Sequence, residues 1–257
     1  MSLFHPRFAP PSSFQRLGLA AFGWCLPWFA YGAMPVCEAH SGEQRTPVIE
    51  LYTSEGCSSC PPADQWLSTL KGKPIVVQAF HVGYWDYIGW VDRFASPAYT
   101  DRQRGIATAN QLRSIYTPQL VRNGRDWRDW NGFFASTPTN LPAGANIRLE
   151  RIDSGANTEQ YVAQVTPQGA SASWSAYWTI TEHGHSSRVK AGENKGETLK
   201  HDFVVRQYTP VGRYQGPQRL SFAAPPAQPD HPRQINLVVS DTQTGEPLQA
   251  VSLACPI

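Results

Sequence analysis

Apolar positions in the first half of the chain fall into short unbroken runs. Val48-Ile49-Glu50-Leu51-Tyr52-Thr53 is of strand length and rich in branched side chains, and Ile75-Val76-Val77-Gln78-Ala79-Phe80 is a second such run. The second, apolar without alternation, reads as a central strand covered on both faces. Between them Ala63, Trp66, Leu67 and Leu70 recur at helical spacing. Pro61 and Pro62 stand in the first turn with Asp64 behind them, and Lys71-Gly72 closes the segment, which predicts a helix. The unit is therefore β-α-β with a parallel pair of strands. From His81 to Tyr99 the chain turns aromatic and irregular, a loop long enough to be functional or to pack as a lid. Thr100-x-x-Gln103 has the form of a capping box and predicts a helix to about Ser114. A proline, Pro118, then leads into a strand that ends in the hairpin turn Asn123-Gly124.

The second half has a different rhythm. Small, Pro- and Gly-rich residues from Thr137-Pro138 to Gly144 suggest a boundary. Short strands separated by turn signals follow: Ile147 to Ile152, Tyr161 to Val165, Trp174 to Ile180, Phe203 to Tyr208, Ile235 to Ser240 and Leu248 to Leu253. That spacing predicts an antiparallel sandwich. The segment Lys190 to Leu199 reads as a turn that could also reach toward the first half, and Pro225 to Pro229 as a surface loop.

Composition narrows the function classes. With 41% hydrophobic and 16% charged residues the chain is that of a folded protein. A net charge of +2 from dispersed basic residues excludes a nucleic-acid footprint. Arg7 and Arg16 precede an uncharged run from Leu17 to Met34, with small residues after it and cleavage expected after Ala33 or Ala39. This is the layout of a signal peptide over residues 1–39, and the run is also nearly long enough to serve as an uncleaved anchor. Pro27, Trp24, Trp28 and Tyr31 favour the signal, and neither Cys25 nor Cys37 has the context of a lipid attachment site. The expectation is a periplasmic or secreted protein with no stable membrane insertion once the leader is cut.

The chemistry centres on Cys57-Ser58-Ser59-Cys60, which follows the first strand and opens the first helix. Strand, turn and Cys-x-x-Cys at a helix start is the setting of a thioredoxin-like redox pair. A thiol there faces unpaired backbone N–H groups that stabilise its thiolate, and a second thiol two residues on can resolve a mixed disulfide. A zinc site would need a second ligand pair, and the sequence has no other Cys-x-x-Cys and no His-x-x-x-His. An inert structural disulfide is the other reading. Cys255 is left alone unless Cys37 survives processing, and reads best as a small buried side chain on the last strand. The expected fold class is an α/β thioredoxin-like domain over residues 47–136 followed by an all-β sandwich-like domain over 145–257. In that order of elements the Thr117–Pro118 bond is expected to be cis.

Glu50 to Cys60, and Tyr116-Thr117-Pro118-Gln119 with Asn123-Gly124, look like thioredoxin and glutaredoxin active-site elements. Together with His81-Val82-Gly83-Tyr84-Trp85-Asp86, Gly89-Trp90, Arg102-Gln103 and Gly192-Glu193-Asn194-Lys195-Gly196, they resemble a bacterial secreted family catalogued as domain of unknown function 1223. That resemblance covers Pro47 to the C-terminus. It implies a thioredoxin-like part and a β-rich C-terminal part, and the family has no settled activity. Gly83 and Arg93 depart from it, standing where the family usually has Asp and Pro.

The expected function is an extracytoplasmic thiol–disulfide oxidoreductase acting on a protein or small thiol or disulfide, with no cofactor and no metal. Cys57 is the candidate nucleophile and Cys60 the resolving thiol; Thr117 and Pro118 shape the surface that holds substrate. Glu50 is a candidate proton relay to Cys60, or else a solvent-facing acid. His81 is a candidate neighbour of the sulfurs, or else structural; Trp85 and Asp86 are carried as further neighbours. Two alternatives stand beside this: an exported copper-binding module using both thiolates with His81, and a partner-binding protein whose disulfide is structural.

Overall fold

In a computed structural model the described residues are 37–131, 140–155, 157–168 and 173–256. The strands are β1 (Glu38–His40), β2 (Val48–Thr53), β3 (Val76–His81), β4 (Gln119–Arg122), β5 (Arg125–Asp126), β6 (Ala145–Ser154), β7 (Glu159–Pro167), β8 (Ser173–Glu182), β9 (His185–Arg188), β10 (Thr198–His201), β11 (Val204–Gln215), β12 (Gln218–Ala224), β13 (Arg233–Asp241) and β14 (Pro247–Leu253). Helix α1 (Pro61–Ser68) joins β2 to β3; a 3-10 turn (Gly83–Ile88) and helix α2 (Pro97–Ala109) separate β3 from β4.

The two apolar runs pair in parallel, Val48 opposite Val76 through Thr53 opposite His81, with β4 antiparallel on the far edge of β2. Alternate residues of these strands bury to opposite sides. Ile49, Leu51, Val77 and Ala79 meet Ala63 and Leu67 of α1 and Leu70 just after it, while Tyr52 and Phe80 meet Tyr99 of α2. Cover on both faces explains the lack of polar alternation.

The fold class expected from the sequence does not hold. The chain is mostly β, 46% strand and 13% helix, rather than an α/β domain followed by a separate sandwich. β2, β3, β4 and β5 are one side of an eight-stranded sheet whose order is β14-β13-β8-β11-β3-β2-β4-β5. The seam is the parallel contact of Val204 with Ala79. A second sheet, β1-β6-β7-β12, lies over the β8, β13 and β14 side of the first. The core between them holds Leu149, Tyr161, Trp174, Trp178, Leu220, Phe222, Leu237 and Val251. Periodicity along the sequence registers strands but not their neighbours, so the joining of both halves in one sheet left no local trace.

Several local expectations also change. The capping box does not form: the cap lies four residues earlier, at Ser96, with Pro97 in the first turn, where its fixed φ suits the helix. Thr100 is buried inside that helix, and Gln103 donates to the Tyr116 carbonyl oxygen (2.7 Å) and to Gln119 Oε1 (2.9 Å). Asn123 and Gly124 both adopt positive φ, as the hairpin turn requires. The Thr117–Pro118 peptide is cis. Cys255 is neither alone nor on the last strand; it follows β14 and forms a disulfide with Cys37, closing a separation of 218 residues. The leader from Leu17 to Met34 and the Thr137-Pro138 dipeptide lie outside the described residues.

Candidate functional site

β2 ends at Thr53 and the chain turns through Ser54-Glu55-Gly56 into the cysteines. Two tight backbone bonds shape this turn, Cys57 N to Ser54 O at 3.1 Å and Cys60 N to Cys57 O at 3.2 Å. Cys60 is the residue preceding α1 and its carbonyl accepts from Ala63 and Asp64. Cys57 and Cys60 are joined as a disulfide at the start of the helix, and both are buried, at 1% and 0% exposure, while Ser58 and Ser59 are exposed. Burial therefore does not distinguish the two cysteines.

Three segments surround the pair. Trp85 of the 3-10 turn stands so close to Gly56 that a Cβ there would meet its own at 2.9 Å, and its indole N–H donates to Thr117 Oγ1 (2.8 Å). Trp85 thus ties the loop before the disulfide to the cis Thr117–Pro118 segment. Asp86 accepts from the Asp92 backbone N–H (3.2 Å) and so braces the aromatic segment from within; burial pushes its carboxyl up.

The third segment comes from the second half of the chain. The hairpin β9–β10, with its tip at 189–197, lies across α1 and the Cys-x-x-Cys loop. Asn194 donates its side-chain amide to the carbonyl oxygens of Glu55 (2.9 Å) and Cys57 (3.0 Å), and Glu193 Oε2 accepts the Ser58 backbone N–H (2.9 Å). The segment Lys190 to Leu199 is thus more than a turn.

Beneath the loop lies a buried acid–base network that no spacing in the sequence announced. Glu55 is fully buried and accepts from Trp90 Nε1 (2.7 Å), with His201 Nε2 at 3.2 Å from its other oxygen. Its backbone N–H donates to Asp92 Oδ2, which also bonds His81 Nδ1 at 2.7 Å. Asp64, on α1, accepts from Thr53 Oγ1 (3.0 Å). Burial alone raises the carboxyl of Asp92, but the His81 cation and the amides of Glu55 and Phe94 hold it below its ordinary value. Burial favours neutral His81, yet the charges of Asp92, Asp64 and Glu55 raise its pKa. Burial lifts Glu55 too, but the bonds from His201 and Trp90 bring it below normal. Burial dominates at Asp64, whose pKa is raised despite His201 and His81. His81 is fully buried and committed to Asp92. Among the described residues no three of His, Cys, Asp and Glu are grouped to hold a metal ion.

Glu50 is neither solvent-facing nor bonded to the cysteines. It is buried and held by Arg102, whose Nε and Nη2 donate to its two oxygens at 3.0 and 2.7 Å, while Tyr52 and Tyr177 add hydroxyl bonds. The Arg102 guanidinium stacks over the Tyr177 ring at 4.1 Å. Glu50 thus joins α2 to β8. Arg102 and Tyr177 lie 52 and 127 residues away in sequence, so no local signal gave them.

Among solved structures, a crystal structure of an Agrobacterium tumefaciens protein is similar at 25% identity with a TM-score of 0.60, covering 83% of this chain and 96% of that one. HBP35 of Porphyromonas gingivalis is similar in fold at 10% identity and a TM-score of 0.56, over 82% of this chain and 76% of that one. No curated protein matches the chain. Residues 48–240 match a family described as protein of unknown function, DUF1223, a span that takes in the cysteine pair, the aromatic segment, the cis proline and the hairpin tip alike; the chain belongs to that family.

Proposed function

We propose that the protein is a thiol–disulfide exchange protein that works outside the cytoplasm through Cys57 and Cys60. The observation that supports the reading is a disulfide at the start of α1, preceded by Gly56 on which Trp85 packs while bonding Thr117, and joined through Glu55 to a buried network of acids and imidazoles. In the oxidising direction, a substrate thiolate attacks Cys57 Sγ and the bond to Cys60 breaks. Cys60 departs as a thiolate and takes up a proton. A second substrate thiol, deprotonated, then attacks the mixed disulfide, leaving the substrate oxidised and both cysteines reduced. The reverse sequence reduces a substrate disulfide and regenerates the Cys57–Cys60 bond. The positive end of the α1 dipole favours a thiolate at the helix start; Pro61 and Pro62 offer no N–H there, and the Ala63 and Asp64 amides are bonded to the Cys60 carbonyl.

The two disulfides support this choice of compartment. Two disulfides persist in an oxidising environment, and among the described residues no helix is long and apolar enough to cross a membrane. Cys37 and β1 belong to the fold, so removal of a leader after Ala33 keeps the Cys37–Cys255 bond, whereas cutting after Ala39 destroys it.

A second reading rests on one observation: both sulfurs are buried, as a purely structural disulfide would be. Trapping separates the two. In a Cys60→Ser variant the exchange reading expects Cys57 to accumulate mixed disulfides with thiol-bearing proteins or glutathione, lost again in Cys57→Ser. A structural disulfide gives no adduct in the Cys60→Ser protein when it is folded.

A further inference from the structure

The second half of the chain places its own residues on the reactive half in a pattern that the exchange chemistry alone does not require. The tip of the β9–β10 hairpin meets its neighbours residue by residue. Ala191 lies against Gly89, where a Cβ would be 3.7 Å from its own. Gly192 packs so tightly on Ile88 that a Cβ would come within 2.9 Å of Cδ1. Glu193 accepts the Ser58 amide, and Asn194 spans the carbonyls of Glu55 and Cys57. At the base of the hairpin His201 reaches Glu55, and the Ser186 carbonyl accepts from Arg93.

The Asn194 and Glu193 bonds fall on the backbone on either side of Cys57, at Glu55, Cys57 and Ser58, and not on the strands that build the core. They differ in depth. Asn194 is buried, whereas Glu193 is exposed and its single backbone bond is open to competition by water. The tip is bounded by Gly192 at φ +75° and Gly196 at φ +94°, and Asn194 O accepts from Glu197 within it. A short segment between two left-handed glycines, held down by a few polar bonds, can lift while the β9–β10 ladder stays paired.

We propose that the 192–196 tip is a removable cap, with Asn194 and Glu193 as the latch that keeps Cys57 out of reach. Lifting the tip frees the Ser58 N–H and the Cys57 carbonyl, the two groups of the peptide unit that follows Cys57, for an incoming extended peptide. The cap accounts for an exchange pair with a buried nucleophile, and it rests on the reading of Cys57–Cys60 as exchangeable. Asn194 and Glu193 are positioning residues; neither reacts.

The test is the rate of disulfide reduction in the oxidised, full-length protein. Dithiothreitol is added, samples are quenched by alkylation, and each disulfide is followed by peptide mass. Cys37–Cys255 is the internal control. Asn194→Ala and Glu193→Ala are expected to speed reduction of Cys57–Cys60, by about ten-fold for Asn194→Ala, with the Cys37–Cys255 rate unchanged. Unaltered Cys57–Cys60 rates in both variants overturn the cap. Equal acceleration of both disulfides also overturns it, because that marks general loosening. The glutathione equilibrium of the same proteins reports separately on exchange: a pair that never equilibrates defeats the exchange reading, while the rate comparison still judges the cap.

Discussion

Asn194 donates a hydrogen bond to the carbonyl oxygen of Cys57 at 3.0 Å across 137 residues of sequence. A buried side-chain amide is spent on the backbone of the Cys-x-x-Cys loop, with its second hydrogen on Glu55. That makes the conformation of the loop depend on a hairpin from the other half of the chain.

The hairpin tip gives a first expectation. Gly192 has φ +75°, and a Cβ there would overlap Ile88. Gly192→Ala therefore meets both a backbone penalty of roughly 1–2 kcal/mol and a clash. Urea denaturation should show a lower midpoint, whereas Gly196→Ala, with open space at its Cβ position, should show the backbone cost alone.

Glu50 and Arg102 form a buried pair with their two hydrogen bonds side by side. Arg102→Met leaves the Glu50 carboxylate buried among aromatic rings without its counter-charge. A loss of about 3–5 kcal/mol is expected by chemical denaturation. Arg102→Met combined with Glu50→Gln should recover part of it, since the orphaned charge is then gone. Equal losses in the single and the double variant would show that packing, not charge, dominates at this site.

The His81–Asp92 pair sets a pH dependence. His81 titrates above its ordinary 6.5, so its contribution is complete below pH 6.5 and is lost as pH rises through the folded value. Asp92 titrates below its ordinary 3.8, so its contribution is present above that and lost as pH falls through the folded value. The pair is at full strength between about pH 4 and 6.5. The stability difference between the wild type and His81→Asn should be largest there and shrink toward pH 9. A difference that stays constant from pH 5 to 9 would contradict the assignment.

The Cys37–Cys255 disulfide anchors β1 and the end of β14 to each other. Cys255→Ser should lower stability by about 2–5 kcal/mol, read as a fall in the denaturation midpoint. The Cys57–Cys60 bond should still form in this variant, as peptide mapping will show.

Local chemistry made β2, β3, β4, β6, β7, β8, β11, β13, β14, α1, the Asn123-Gly124 hairpin and the cysteine pair legible, because each is encoded within a few neighbouring residues. Sheet membership was not: Val204 meets Ala79 through a register that no periodicity carries. The short strands β9 and β10 are mostly polar, His185-Ser186-Ser187-Arg188 and Thr198-Leu199-Lys200-His201, and gave no apolar run to detect. The site shows the same division. Cys57, Cys60 and Pro118 stand in recognisable local settings, whereas Glu55, His201 and Asn194 are defined by partners more than a hundred residues apart. Glu50 is defined in the same way, since a Glu between Ile49 and Leu51 carries no mark of the Arg102 that neutralises it.

The central claim is that the Cys57–Cys60 bond is made and broken in use. Equilibrating the purified protein against a series of glutathione redox buffers tests it directly, with Cys57→Ser alongside and the Cys37–Cys255 bond as reference. The account predicts a reversible transition of Cys57–Cys60 between about −120 and −270 mV, the span of known oxidoreductases, and its absence from the variant. A pair that stays oxidised below about −300 mV would behave as a structural disulfide and would contradict the account.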